Sequence, residues 1–149
     1  MYENKVNKTC GTKCSSNSLL AGLIFDDKNN LMTPSHSNSH KRRYRYYVST
    51  ALKNYNDNEV GTISKIPAGE VEKFVVETTK EFLQDKGQIQ KLVKDFKVSK
   101  QNRLIYMAQN IEDYSDPKLI RAIIYKIVIS KNLIEITLNE NSLINVFNT

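Results

Sequence analysis

Eight consecutive positions, Lys41-Arg42-Arg43-Tyr44-Arg45-Tyr46-Tyr47-Val48, hold four cations and three tyrosines. A guanidinium is a planar fork of N–H donors that matches two phosphate oxygens or the major-groove edge of guanine. A phenol packs on a sugar while its hydroxyl reaches a phosphate. Such a set suits recognition of a polyanion rather than the making or breaking of bonds. In an extended stretch, period-two alternation puts Lys41, Arg43, Arg45 and Tyr47 on one face and Arg42, Tyr44, Tyr46 and Val48 on the other. The first face is the cationic one and is expected to meet nucleic acid, and the second to lie on an apolar hairpin. His36 and His40, just upstream, are placed to donate to phosphate. A plainer reading has Arg stems covering apolar surface and tyrosines filling a small core; the density of charge favours nucleic acid.

Other constellations carry less. Cys10-x3-Cys14 and His36-x3-His40 each have ligand-like spacing, but the 21 residues between the pairs exceed the span of a zinc finger. Free thiols and loop histidines are the expectation, with no metal and no cofactor. Asp26-Asp27 reads as a pair of turn formers. Gln88–Ile111 admits a helix-turn-helix, with Lys97-Val98 as the turn, Ser99 as cap and Lys100, Gln101 and Arg103 outward; a plain helical hairpin is the preferred reading. No Ser-His-Asp order, phosphate-cradling glycine loop or dinucleotide fingerprint occurs among the five glycines, so no enzyme is expected in this chain alone.

The charge is unevenly distributed. Of the formal net +6, residues 1–50 hold 8 Lys and Arg against 3 Asp and Glu, whereas residues 51–149 hold 14 against 13. A localised cationic field suits nucleic acid or an anionic surface more than a small neutral ligand. With 40% hydrophobic and 26% charged residues over 149 positions, a folded core is expected. No apolar run of spanning length and no leader pattern occurs, which points to a cytoplasmic protein with no membrane partner.

The elements that must position these residues follow from periodicity. Residues 1–17 read as a disordered leader. Leu19–Phe25, a turn at Asp26–Asn30 and Leu31–Pro34 read as a hairpin, Ser35–His40 as a polar loop, and Lys41–Val48 as a third strand, giving a DNA-binding β-ribbon over 18–52. An Asn- and Asp-rich linker covers 53–65. Residues 66–149 read as a helical segment with a terminal β-hairpin. Pro67 sits in the first turn of a helix that buries Val71, Phe74, Val75, Thr78 and Phe82, and Gly87 separates it from a helix burying Ile89, Leu92, Val93 and Phe96. Ser99 caps a third helix with Leu104, Met107, Ala108 and Ile111 inward, and Asp116-Pro117 opens a fourth with Leu119, Ile120, Ile123 and Ile124 inward. Ile127–Ile129, a turn at Ser130–Asn132 and the alternating Ile134–Leu138 form the hairpin. The fold class is α+β: an N-terminal antiparallel ribbon, a helical middle and a closing hairpin.

Ser18-Leu19-Leu20-Ala21-Gly22-Leu23-Ile24-Phe25, the turn, Met32-Thr33-Pro34-Ser35-His36, and then Lys41–Ser49 resemble the ribbon segment of serine site-specific recombinases of the resolvase/invertase family. Ile66-Pro67-Ala68 opening a helix, and the late hairpin, extend the resemblance along the chain. It implies a C-terminal DNA-binding portion, with the catalytic serine domain outside this chain, and as partners double-stranded DNA and a full-length recombinase or further copies of itself. An interaction tail and a relic of a recombinase gene are the alternatives. With the residue chemistry above, it makes Lys41, Arg42, Arg43, Tyr44, Arg45, Tyr46, Tyr47 and His36 the expected DNA contacts. Many relatives hold the ribbon with a Cys pair at the first turn and another after the Tyr-Tyr strand. Asp26, Asp27 and Asn29, and Val48-Ser49-Thr50, stand there instead, which leaves packing alone to hold the ribbon.

Overall fold

The computed structural model describes residues 18–148. Cys10, Cys14 and the expected leader lie outside them. The class is α+β, with six helices and two three-stranded sheets among the described residues, which fall into two compact units. One unit comprises residues 18–72 and Lys126–Thr137, and the other Lys73–Tyr125 and 138–148.

The first unit is built on a ribbon. Strand β2 (Met32–Ser39) pairs antiparallel with β3 (Arg42–Ser49) in an unbroken register from Met32↔Ser49 to Ser39↔Arg42. Two residues join them, His40 at φ 48° and Lys41 at φ 66°. Positive φ at both central positions is the mirror-image turn whose twist matches that of paired strands. The stretch expected as a polar loop, Ser35–His40, is therefore mostly strand: cross-strand partners along β3 satisfy its backbone, which outweighs the turn propensity of serine and asparagine. Pro34 fits because β2 is an edge, where a missing N–H costs no ladder bond. On the far side of β3, β4 (Lys65–Pro67) covers only Tyr46, Tyr47 and Val48.

The second sheet has the order β1-β5-β6, with β1 (Ile24–Asp26) parallel to β5 (Ile124–Ile129) in the register Ile24↔Ile127 to Asp26↔Ile129, and β6 (Ile134–Leu138) beyond β5. The expected first hairpin is reduced to one bridge, Phe25↔Leu31. Residues 19–23 are turns, with Gly22 at φ 82°. The continuous apolar run misleads here because the turn buries Leu20 completely while β1 buries Ile24. Leu20, Ile24, Met32, Tyr47 and Ile127 form the centre of this unit, all at 0% exposure. A short helix α1 (Thr50–Lys53) and a 3-10 turn at Asp57–Glu59 follow β3.

Helix α2 (Ala68–Gln84) opens immediately after Pro67, which closes β4 instead of occupying the helix's first turn. Its buried line is Ala68, Val71, Val75, Thr79 and Leu83. The expected stripe is thus rotated: Phe74 is 45% exposed, and the i, i+4 row takes Thr79 and Leu83 in place of Thr78 and Phe82. In the second unit, α3 (Lys86–Val93) is capped by Asp85, whose carboxylate accepts from Gly87 N and Gln88 N, so Gly87 lies inside the helix and Asp85 marks the break. Helix α4 (Val98–Gln109) has Lys97 at its cap without a side-chain bond, and Ser99, two residues further in, already lies in the first turn. Leu104, Ile105 and Ala108 face inward.

Helix α5 (Pro117–Ile123) has the expected cap, with Lys118 N donating to Asp116. It ends before Ile124, which begins β5. The chain then forms a sixth helix that the sequence reading omitted, α6 (Glu140–Asn148). Asn139 caps it by accepting from Ser142 N, and Leu143 and Phe147 are buried at i, i+4 spacing. No described helix is long and apolar enough to cross a membrane.

Candidate nucleic-acid interface

Beyond β4 the ribbon has no third strand, and residues 36–44 are all exposed. The free part is an arm of four paired positions on each strand, about 14 Å long at ~3.4 Å per residue. Directly opposed residues of an antiparallel pair share a face. His36 opposite Arg45 and Asn38 opposite Arg43 make one face of the arm, and Ser37 opposite Tyr44 and Ser39 opposite Arg42 make the other. One face is rich in donors and the other in hydroxyls, and both are open to a partner. No Asp or Glu occurs between Asp27 and Asp57 in the sequence, and among the described residues Lys41, Arg42 and Arg43 form no ion pair.

The expected site residues separate into two groups. His36, Lys41, Arg42, Arg43 and Tyr44 are brought together on the exposed arm. Arg45, Tyr46 and Tyr47 lie at its root. Arg45 pairs with Glu72 at 2.9 Å, and the Lys65 ammonium stacks 3.9 Å from the centre of the Tyr46 ring. Tyr47 does not face outward as alternation suggested, because β4 and the start of α2 enclose that end of the ribbon. It is fully buried, its hydroxyl accepting from Leu20 N at 3.0 Å and donating to Glu72 at 2.8 Å. Burial above all, with the neighbouring Glu72 carboxylate, pushes its phenol pKa well above the ordinary value. Tyr47 thus works as a neutral double hydrogen-bonder that ties the arm's root to the turn at Leu20.

Beneath the arm lies a second tie, formed by the Asp26-Asp27 pair expected to be turn formers alone. Asp26 is fully buried, yet its carboxylate accepts from Lys28 N, Asn30 N, Asn30 Nδ2, Ser49 Oγ and Gly61 N at 2.8–3.1 Å. Desolvation works to raise its pKa, but these donors together outweigh it and hold the carboxyl below the ordinary carboxylate range. Asp27 adds bonds from Thr62 N and Thr62 Oγ1 at 2.7 and 2.8 Å, which lower its pKa too. A β-carbon on Gly61 would sit 2.9 Å from Asp26 Cβ and 2.1 Å from an Asp27 oxygen, so only glycine lets the two segments approach this closely.

The ribbon is therefore not held by packing alone. Asp26 and Ser49, two of the positions where the resemblance leads one to expect zinc cysteines, are hydrogen-bonded to each other. A hard carboxylate and a hydroxyl, already committed to one another, do not fit a zinc site built on thiolates. Among the described residues no three His, Cys, Asp or Glu side chains cluster as metal ligands.

No protein-family model matches the chain, and no curated protein sequence matches it. Solved structures do. One, reported under "Crystal Structure of a LSR-DNA Complex", aligns with a TM-score of 0.54 at 14% identity over 93% of this chain and 62% of that chain. Another, reported under "Sequence Requirements of the Listeria innocua prophage attP site", aligns with a TM-score of 0.53 at 15% identity over 89% of this chain and 47% of that one. This chain thus spans less than two thirds of the length of either. At such identity the likeness is one of fold.

Proposed function

We propose that this chain is a double-stranded-DNA-binding portion of a serine site-specific recombinase of the resolvase/invertase type, acting in the cytoplasm, with the catalytic serine domain carried outside the sequence described. The observation that carries this reading is the exposed arm, 36–44, whose Lys41, Arg42 and Arg43 face solvent with no carboxylate in the surrounding 29 residues from Lys28 to Asn56. An arm two strands wide is of a size that a DNA major groove admits. The fold likeness to a chain solved in a DNA complex supports the same reading.

In this account Lys41, Arg42 and Arg43 neutralise phosphates or reach base edges. Tyr44 and His36 hydrogen-bond beside them, and Arg45 and Tyr46 contact the duplex at the arm's root. Tyr47 acts from inside by fixing the arm's direction. The test is a salt titration of binding to duplex DNA. Each phosphate contact contributes about 0.9 to the slope of log K against log salt. The Lys41→Ala/Arg42→Ala/Arg43→Ala chain is expected to stay folded and lose about 2.7 from that slope. A folded triple variant with the parental slope would refute the arm as the contact.

A further inference from the structure

The second unit carries its own concentration of positive charge. Residues 86–103 hold six Lys and Arg, namely Lys86, Lys91, Lys94, Lys97, Lys100 and Arg103, against one acid, Asp95. None of the six forms an ion pair among the described residues. The neighbouring Asp85 is occupied in capping α3.

The local fold presents this charge on a rigid frame. Gln101, expected outward, turns back instead: its side-chain amide donates to Phe96 O at 2.7 Å and Lys94 O at 3.1 Å, tying down the connection that follows α3. The Lys100 ammonium stacks 4.2 Å from the centre of the Phe96 ring. Phe96 N donates to Val93 O, and Gln101 N to Lys97 O, so the connection between α3 and α4 is hydrogen-bonded throughout.

With Leu104, Ile105 and Ala108 inward, the opposite side of α4 shows Ser99, Asn102, Arg103 and Tyr106 at i, i+3, i+4 and i+7, all exposed. That stripe holds no acid and only one large apolar surface, Tyr106 at 67% exposure. Arginine and asparagine are the two side chains that bond bidentately to guanine and adenine edges, and serine and tyrosine hydroxyls suit phosphate. A merely solvated helix face would be expected to mix acids with its bases to gain i, i+4 pairs; this one does not.

We infer that the outward stripe of α4, with the cations Lys91, Lys94 and Lys97 that precede it in the chain, is a second contact surface for double-stranded DNA, made of residues other than those of the ribbon arm. The inference extends the DNA-binding reading but rests on different residues, so the two fail separately. The test compares four chains in duplex-DNA salt titrations: parental, the arm triple variant, a helix variant with Lys91, Lys94, Lys97 and Arg103 changed to Gln, and the two sets combined. The helix variant is expected to lose about 3.6 from the slope if all four cations are engaged. It should weaken binding at least tenfold at low salt whether or not the arm variant does. Titrating duplex DNA into the isotopically labelled parental chain provides a readout independent of mutation, with amide shifts expected over 97–106. Parental slope in a folded helix variant, or unshifted amides in that segment while DNA is bound, would overturn the second surface and leave the arm reading untouched. Loss of the arm effect alone would overturn the arm and leave the helix standing.

Discussion

At the scale of single residues, burial and hydrogen bonding decide which polar side chains serve the architecture. Tyr47 has two partners that water cannot replace, Leu20 N and Glu72. Tyr47→Phe leaves the Leu20 N–H buried without an acceptor, and it should lower unfolding free energy by about 1–3 kcal/mol in urea melts. An unchanged midpoint would mean that the hydroxyl contributes nothing. Thr79 is the opposite case. Its hydroxyl is buried in α2 without a hydrogen-bond partner, and the side chain is 2% exposed. Thr79→Val keeps the shape and removes the orphaned group, and it is expected to raise stability by about 1 kcal/mol in the same assay.

At the scale of the element, the arm carries strain at its tip. His40 and Lys41 both hold positive φ, where glycine or asparagine is at ease and a β-carbon costs roughly 1–2 kcal/mol. Lys41→Gly is expected to stabilise the first unit by about 1 kcal/mol in a denaturant melt while removing about 0.9 from the salt slope of DNA binding. Gains in both stability and affinity would show that the lysine is not a contact. Strain retained at the most cationic point of the ribbon is what a binding tip would show.

At the scale of the whole molecule, the carboxylates with depressed pKa values set the response to acid. Asp26 and Asp27 in the first unit and Asp113 in the second all lie below their ordinary value of 3.8 when folded. A carboxylate that loses its proton more readily in the folded state adds stability that is fully present above its unfolded pKa and is lost as pH falls through the folded one. Stability is therefore expected to hold near neutrality and to fall from about pH 4 downward. Asp26→Asn should be destabilised at pH 7 and show a shallower acid limb, because the group that titrates there is gone. Urea midpoints measured across pH 2–7 check this, and an acid limb as steep as the parental one would assign the effect elsewhere.

The same scale shows what was legible beforehand. Charge and residue type located the cationic strand, since guanidinium chemistry does not depend on tertiary context. Helical periodicity located four helices, three of them with inward residues correctly placed at Ile89, Val93, Leu104, Ala108, Ile120 and Ile123. Alternation located β6, and the order of strand-like and helix-like segments indicated the α+β class. The errors share one cause. Ser35–Ser39 became strand because β3 supplied its partners, β1 left its expected hairpin because β5 offered a parallel ladder, and Tyr47 turned inward because β4 and α2 closed over it. Asp26 joined Ser49 and Gly61 across 23 and 35 residues, and no local pattern encodes such a pairing. The sequence by itself determined which segments could be helical, which were cationic and where the chain could turn, because these depend on side-chain chemistry and nearest neighbours. Only the tertiary structure decided which cations remain free, which tyrosine is buried and which carboxylate ties the ribbon's base, because desolvation and long-range hydrogen bonds exist only once distant segments meet.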